Sequence, residues 1–366
     1  LLLLVVALLL LRRRRQKADN HSTLAVGMAD LSSSHYGQPG QAGSHIAADG
    51  YRRLSQANLS FGAAAAAGGG ESGQEYVVAK DFSKTREKAP LEIPEHYKIA
   101  FEELQVSEEL GRGSFGIVFL GRLRGSEACA VKQLNDQGQY MSASSPELQE
   151  FQKEAQLMVR LPQHENLVRL LGICVQPLAL VLEYVPGGSL EKLLRNADAK
   201  VTVGEMVRFC ADTTAGLQVL HQAGIVHRDI ATRNVLVTAE RRCKLTDFGM
   251  ARSGHMEQHN YTAQSVGPLK WMAPEAINKQ RYSRETDVYS LAITFAEIFK
   301  RDDPYPDMMP VIVATEVIKE GLRPQLPDFT PAELRAAIER MWHTEPTQRP
   351  SLDEILATLA NVLQHG

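Results

Sequence analysis

The sequence lacks a Cys-x-x-Cys pair, an internal repeat, a bilayer-length apolar run and any strong excess of charge, and each absence closes a route. The four cysteines, Cys129, Cys174, Cys210 and Cys243, lie far apart. That spacing supplies no zinc-ligand pair. Each sits in an apolar or strand-like run, which reads as a reduced core cysteine of a cytosolic domain. A net charge of -3 and a pI near 6.5 leave no basic face, so nucleic acid is not an expected partner. The 366 residues suffice for one large domain, or two smaller ones, with a linker.

What is present begins at the N-terminus. The chain opens on Leu1 rather than Met, so a fragment or processed product is expected. Leu1 to Leu11 is unbroken apolar sequence, followed by Arg12-Arg13-Arg14-Arg15. This run is short of the ~20 residues that cross a bilayer, and a secretory signal would carry its charges before it. Apolar residues followed by four Arg fit the cytoplasmic end of a single-pass helix, with everything after Arg15 inside the cell. The alternative is a low-complexity leader on a cytoplasmic protein. Residues 16–100 show little periodicity, with Ser32-Ser33-Ser34 and the run Ala63 to Gly70. Such composition cannot offset chain entropy, so a flexible linker is expected there, with Tyr36, Tyr51, Tyr76 and Tyr97 as weak candidate modification sites.

Order is expected from 101 to 363. Glu103 to Gly111, Ile117 to Leu123, Cys129 onward, Leu167 to Cys174 and Leu178 to Tyr184 read as strands. Pro146 to Leu161 reads as a helix, with Leu148, Phe151, Ala155 and Met158 on one face. Beyond Gly187-Gly188 the chain turns helical: Val203, Met206, Val207, Cys210, Thr214, Leu217 and Leu220 form one stripe. Asp287 to Phe299 is apolar nearly all round, as in a buried helix. A small sheet-rich part followed by a larger helical part predicts an α+β fold.

The chemistry is concentrated in short motifs. His227-Arg228-Asp229-Ile230-Ala231-Thr232-Arg233-Asn234 places a carboxylate and a carboxamide on one loop, and Asp247-Phe248-Gly249 adds a second carboxylate. Gly111-Arg112-Gly113-Ser114-Phe115-Gly116 matches G-x-G-x-x-G, weak by itself. A dinucleotide-binding turn would open into a helix; here Ile117-Val118-Phe119-Leu120 favours a strand, so the glycines belong to a hairpin. Lys132 ends the run Ala130-Val131, where a Lys ordinarily snorkels to solvent. Ala273-Pro274-Glu275 and Thr347-Gln348-Arg349-Pro350 follow. Taken together, residues from about Phe101 to Leu363 resemble the eukaryotic protein kinase superfamily, tyrosine kinase or tyrosine-kinase-like group.

The resemblance implies a bilobal fold, with an N-lobe over 101–183, a hinge over 183–188 and a C-lobe over 189–363. It implies ATP and Mg²⁺, with protein substrates. Asp229 would be the catalytic base, with Arg233 beside it, and Asn234 and Asp247 would hold the metal. Lys132 would meet the α- and β-phosphates, held by Glu154 of Phe151-Gln152-Lys153-Glu154-Ala155, with Glu150 as fallback. The glycine-rich residues Gly111 to Gly116 would close over the phosphates. Val118, Ala130 and Leu236 would sandwich adenine, with Glu183 to Val185 as hinge and Leu182 before it. Met158, Leu170, His227 and Phe248 would stack as a regulatory column, Asp287 would anchor the catalytic loop, and Arg349 would pair with Glu275. Ala292 departs from the usual Gly, a small packing change.

Serine/threonine kinases place Lys two residues after the base. Ala231 stands there, with Arg233 four residues after Asp229, and Gly267-Pro268-Leu269-Lys270-Trp271-Met272 supplies a Pro as a platform for the flat phenol ring of an acceptor; both resemble tyrosine kinases. Tyrosine is the expected acceptor, a serine/threonine or dual-specificity enzyme the alternative, and a pseudokinase scaffold a third reading. Tyr261, mid-segment, is expected to be phosphorylated in trans by a dimer partner and then to pair with Arg228, with Thr262 and Ser265 as alternatives.

Overall fold

The computed structural model describes residues 93–113, 116–134, 145–253 and 268–365. The expected membrane segment (1–15), Tyr36, Tyr51, Tyr76, Ser114, Phe115, Tyr261, Thr262 and Ser265 lie outside them. No helix among the described residues is long and apolar enough to cross a membrane.

The N-lobe is one six-stranded sheet. Its strands are β1 (Lys98–Ile99), β2 (Leu104–Gly113), β3 (Gly116–Leu123), β4 (Glu127–Gln133), β5 (Leu170–Val175) and β6 (Leu178–Glu183). The order is β1-β5-β6-β4-β3-β2, and only β1 runs parallel to its neighbour. One helix, α1 (Pro146–Arg160), accompanies the sheet. Ser145 caps it by accepting from Leu148 N (3.2 Å), and Pro146 occupies the first turn, where no N–H is needed.

The linker reading of residues 93–100 gives way to a correction. Lys98 and Ile99 pair with Ile173 and Cys174, and Ile93 and Ile99 are buried. Gly172 makes this possible: a Cβ there would lie 2.4 Å from Ile99 Cδ1 and 2.7 Å from the Tyr97 carbonyl. Two strand residues are too few to show alternation, which is why periodicity missed them.

The C-lobe holds α2 (Leu190–Arg195), α3 (Val203–Gln222), α4 (Pro274–Lys279), α5 (Arg284–Lys300), α6 (Pro310–Lys319), α7 (Ala332–Met341) and α8 (Leu352–His365). Two short ribbons lie among them: β7 (Ile225–Val226) with β10 (Arg252–Ser253), and β8 (Val235–Val237) with β9 (Cys243–Leu245). Helix α5 is buried without interruption from Thr286 to Phe299, as its all-round apolar sequence requires. Thr202 and Glu205 close a capping box on α3. All four cysteines are buried thiols; burial pushes Cys129 and Cys174 each up to about 11, which keeps them protonated.

At the base of this lobe Arg349 donates to both Glu275 oxygens (2.6 and 3.0 Å), to Glu285 O (2.8 Å) and to His343 O (2.9 Å). Its side chain is fully buried. Arg349→Leu removes the bidentate donor of the Glu275 carboxylate, so a loss of about 3–5 kcal/mol is expected. Urea unfolding checks it: a midpoint unchanged from the parent would contradict a structural role for the pair.

Candidate active site

The loop between β7 and β8 is suspended from α5. Asp287, fully buried near the start of that helix, accepts from His227 N and Arg228 N, both at 2.8 Å, and meets His221 Nε2 at 2.9 Å. Arg228 adopts φ +70°, a conformation costly for a non-glycine residue, and the two hydrogen bonds to Asp287 hold it there. Further along, Thr294 Oγ1 donates to Ile230 O (3.1 Å) and Thr232 N donates to Glu297 (3.1 Å). The loop is thereby fixed from beneath, leaving Asp229 presented above it.

Asp229 has donors on both carboxylate oxygens. Arg233 donates to Oδ1, and Asn234 Nδ2 donates to Oδ2 and to the Asp229 carbonyl, each at 2.8 Å. Asn234 uses its N–H groups in this way and so retains a carbonyl oxygen as its remaining side-chain acceptor. The carboxylate is oriented, which is what a proton acceptor needs.

Lys132, on β4, brings the lobes together. Its ammonium donates to Glu154 Oε1 and Oε2 (2.7 and 2.9 Å) and to Asp247 Oδ1 (3.0 Å). Burial opposes charge on Lys132, but Asp247 and Glu154 outweigh it and hold the amine above its ordinary value. Burial would also raise Asp247, yet Lys132 holds its carboxyl below the usual carboxylate range; burial prevails at Glu154, which is raised. The fallback Glu150 is otherwise engaged: it pairs with Arg252 and with Lys153 (3.1 Å), so Glu154 is the partner.

The remaining expected residues frame this core. Gly111 pairs with Val118, Arg112 with Ile117 and Gly113 with Gly116, so the glycine-rich run is a hairpin. Gly116 is needed because a Cβ there would sit 2.1 Å from Gln133 O. Arg112 is exposed and paired with Glu109 (2.9 Å) on its own strand. Val118 is the cross-strand partner of Lys132, and Ala130 precedes it by two, placing all three on one face. Val118, Ala130 and Leu236 are each half-buried. Val185 is buried after the end of β6, while Glu183 Oε1 accepts from Arg169 N (2.8 Å) and Lys244 (2.9 Å). Met158, Leu170 and Phe248 share one buried cluster, with Phe248 edge-on to His227 at 5.7 Å. Leu182 is buried beside Val185 in the same cluster.

Asp247, in the left-handed conformation, and Asn234 fit a magnesium ion by chemistry: one carboxylate and one amide oxygen are hard ligands. Among the described residues no three or more His, Cys, Asp or Glu converge, so the remaining ligands would come from phosphate and water. Two features escaped sequence reasoning. Arg252 reaches across to Glu150, and Arg233 stacks on Trp271 at 4.6 Å while Trp271 Nε1 donates to Glu297 (3.0 Å). The acidic Glu297, in the largely apolar stretch from Leu291 to Phe299, was the available signal for the second.

A family model described as protein tyrosine and serine/threonine kinase matches residues 104–359. The chain belongs to the protein kinase superfamily. Among curated relatives it is similar to a probable serine/threonine-protein kinase of Dictyostelium discoideum, 33% identical over 267 residues, 72% of this chain and 28% of that protein. It is 34% identical over 272 residues to the tyrosine-protein kinase transforming protein Fps of avian sarcoma virus (strain PRCII), 72% of this chain and 49% of that protein. A probable serine/threonine-protein kinase of Arabidopsis thaliana is 32% identical over 295 residues, 80% of this chain and 28% of that protein. The chain thus spans less than half the length of each of these kinases, whose names include both acceptor classes.

Proposed function

We propose that this domain transfers the γ-phosphate of ATP to a protein hydroxyl. The observation that carries the reading is the single ammonium of Lys132 joined to Glu154 on α1 and Asp247 in the C-lobe. Only when both lobes are so disposed can one cation meet phosphates held between them. Lys132 binds and orients the α- and β-phosphates. Asp229 accepts the proton of the acceptor hydroxyl as its oxygen approaches in line, while Arg233 and Asn234 keep the carboxylate aimed. A magnesium ion held by Asp247 and Asn234 would offset charge on the phosphates. The residues contribute position and electrostatics more than covalent chemistry.

Tyrosine is the proposed acceptor. Support comes from Ala231 in place of a Lys, from Arg233 donating to Asp229, and from Pro268 leading into Trp271. A serine/threonine or dual-specificity enzyme is the second reading, favoured by the names of the Dictyostelium and Arabidopsis relatives. Phosphoamino-acid analysis of the autophosphorylated chain separates them: phosphotyrosine alone is the expected product, and phosphoserine or phosphothreonine as the main product overturns it.

Two further parts of the reading rest on sequence. Tyr261 phosphorylation in trans would order its segment through Arg228, whose guanidinium lies 4.8 Å from the Tyr282 ring centroid. Tyr261→Phe is then expected to lower activity, and an undiminished rate ends that idea. The apolar run before Arg12–Arg15 would tether the domain to the inner face of a membrane, which carbonate extraction of membranes from cells expressing the chain tests.

A further inference from the structure

Glu297 is an unusual residue for its position. It lies in α5, only 2% exposed, between the buried Ala296 and Ile298. Burying a carboxylate is costly unless charge or hydrogen bonds compensate it. Here one oxygen, Oε2, accepts two N–H groups: Trp271 Nε1 at 3.0 Å and Thr232 N at 3.1 Å. Burial still pushes the Glu297 carboxyl above its ordinary value.

The two donors belong to different functional segments. Thr232 sits on the catalytic loop between Ala231 and Arg233. Trp271 closes the Pro268–Trp271 stretch that precedes Ala273-Pro274-Glu275. Between them the Arg233 guanidinium lies over the Trp271 ring, 4.6 Å from its centroid, and donates to Asp229. The contacts close a ring: Glu297 to Trp271, Trp271 to Arg233, Arg233 to Asp229, and back through Thr232 to Glu297. Ser290 Oγ, two turns earlier on α5, fixes the Trp271 carbonyl (2.8 Å), so the indole cannot drift away from this ring on its own.

We propose that Glu297 is a positioning residue that ties the orientation of Asp229 to that of the acceptor platform around Trp271. The proposal rests on the phosphotransfer reading above. A carboxylate shared by two donors sets both at one point, and charge assistance makes each bond strong. If the platform moves, the ring face beneath Arg233 moves with it, and the aim of Asp229 changes. Lys132 and Asp247, through which ATP would be met, make none of the contacts of this ring.

The chain has two tryptophans. Trp342→Phe, outside the ring, leaves Trp271 as the sole emitter and serves as parent for Glu297→Leu and Glu297→Gln. Glu297→Leu removes the acceptor; kcat on a peptide substrate is expected to fall by about tenfold or more with KM for ATP within about twofold, and Trp271 emission shifts. Glu297→Gln keeps a carbonyl oxygen for both N–H groups and recovers most of kcat and of the emission. Trp271→Phe, which keeps a ring for Arg233 but loses the N–H, supplies the same test should the Leu variant not fold; its kcat falls at constant KM for ATP. A parent that transfers phosphate and a Leu variant with unchanged kcat overturn the proposal, as does a loss in which KM for ATP rises in step. A parent that transfers no phosphate, yet shows the emission shift, overturns instead the reading on which it rests.

Discussion

Asp229→Asn is expected to abolish phosphate transfer while leaving nucleotide binding intact. The carboxamide has nearly the shape of the carboxylate, so the loop suspended from Asp287 should keep its path. Asn234 Nδ2 retains the Asp229 backbone carbonyl as an acceptor. What disappears is the basic oxygen that takes the hydroxyl proton. General-base contributions are commonly about 10²–10⁴-fold, and here the neutral side chain also loses its charge-assisted bond from Arg233, so the upper part of that range is expected. Radiolabel transfer to a peptide measures the rate, and calorimetric titration with a non-hydrolysable ATP analogue measures binding. Equal background transfer by Asp229→Asn and parent, with intact analogue binding, would place the chain among nucleotide-binding scaffolds.

The result depends on residues that were legible for unequal reasons. Asp229, Asn234, Asp247 and Lys132 stand in short motifs that resemble those of the family, so the sequence alone singled them out. Glu154 was harder. Glu150 and Glu154 are four apart and share a helix face, so periodicity cannot choose between them. The resemblance of Phe151-Gln152-Lys153-Glu154-Ala155 favoured Glu154; the physical reason is Arg252, which draws Glu150 away across a sequence distance no local pattern reveals. The N-terminal edge of the domain was misplaced for a different reason: β1 has two residues, and its partner is signalled by Gly172, whose missing side chain is informative only once Ile99 is seen against it. Glu297 was hidden because a helix apolar nearly all round invites a core reading. Buried polar groups are hydrogen-bonded as a rule, so an acid at such a position implies donors nearby. The identity of those donors, Trp271 and Thr232, comes only from the fold.

Removing the cation that joins the lobes should have an effect of another kind. Lys132→Met eliminates the contact expected to receive the α- and β-phosphates, and leaves Glu154 and Asp247 without the ammonium that joins them. Breaking a buried pair from one side costs about 3–5 kcal/mol, so the variant should lose stability as well as transfer. The pH dependence gives its signature. Lys132 now holds Asp247 below its ordinary value, a contribution present above the unfolded carboxylate pKa and lost as pH falls through the folded one. Without Lys132, burial raises Glu154 further and Asp247 loses the cation that lowers it, so the folded state binds more protons than that of the parent. Its stability therefore falls as pH rises from the unfolded carboxylate value through the raised folded one of Glu154. The deficit relative to the parent is therefore widest near neutrality and narrows in acid, which urea midpoints at pH 5 and pH 7 would read at roughly the unfolded-side and neutral ends of that window. A deficit independent of pH would show that the two acids do not depend on Lys132. Glu154→Gln separates the roles, because Asp247 still pairs with the ammonium at 3.0 Å. A smaller stability loss with a raised KM for ATP is expected there, since Lys132 keeps its charge and loses only the partner that fixes its direction.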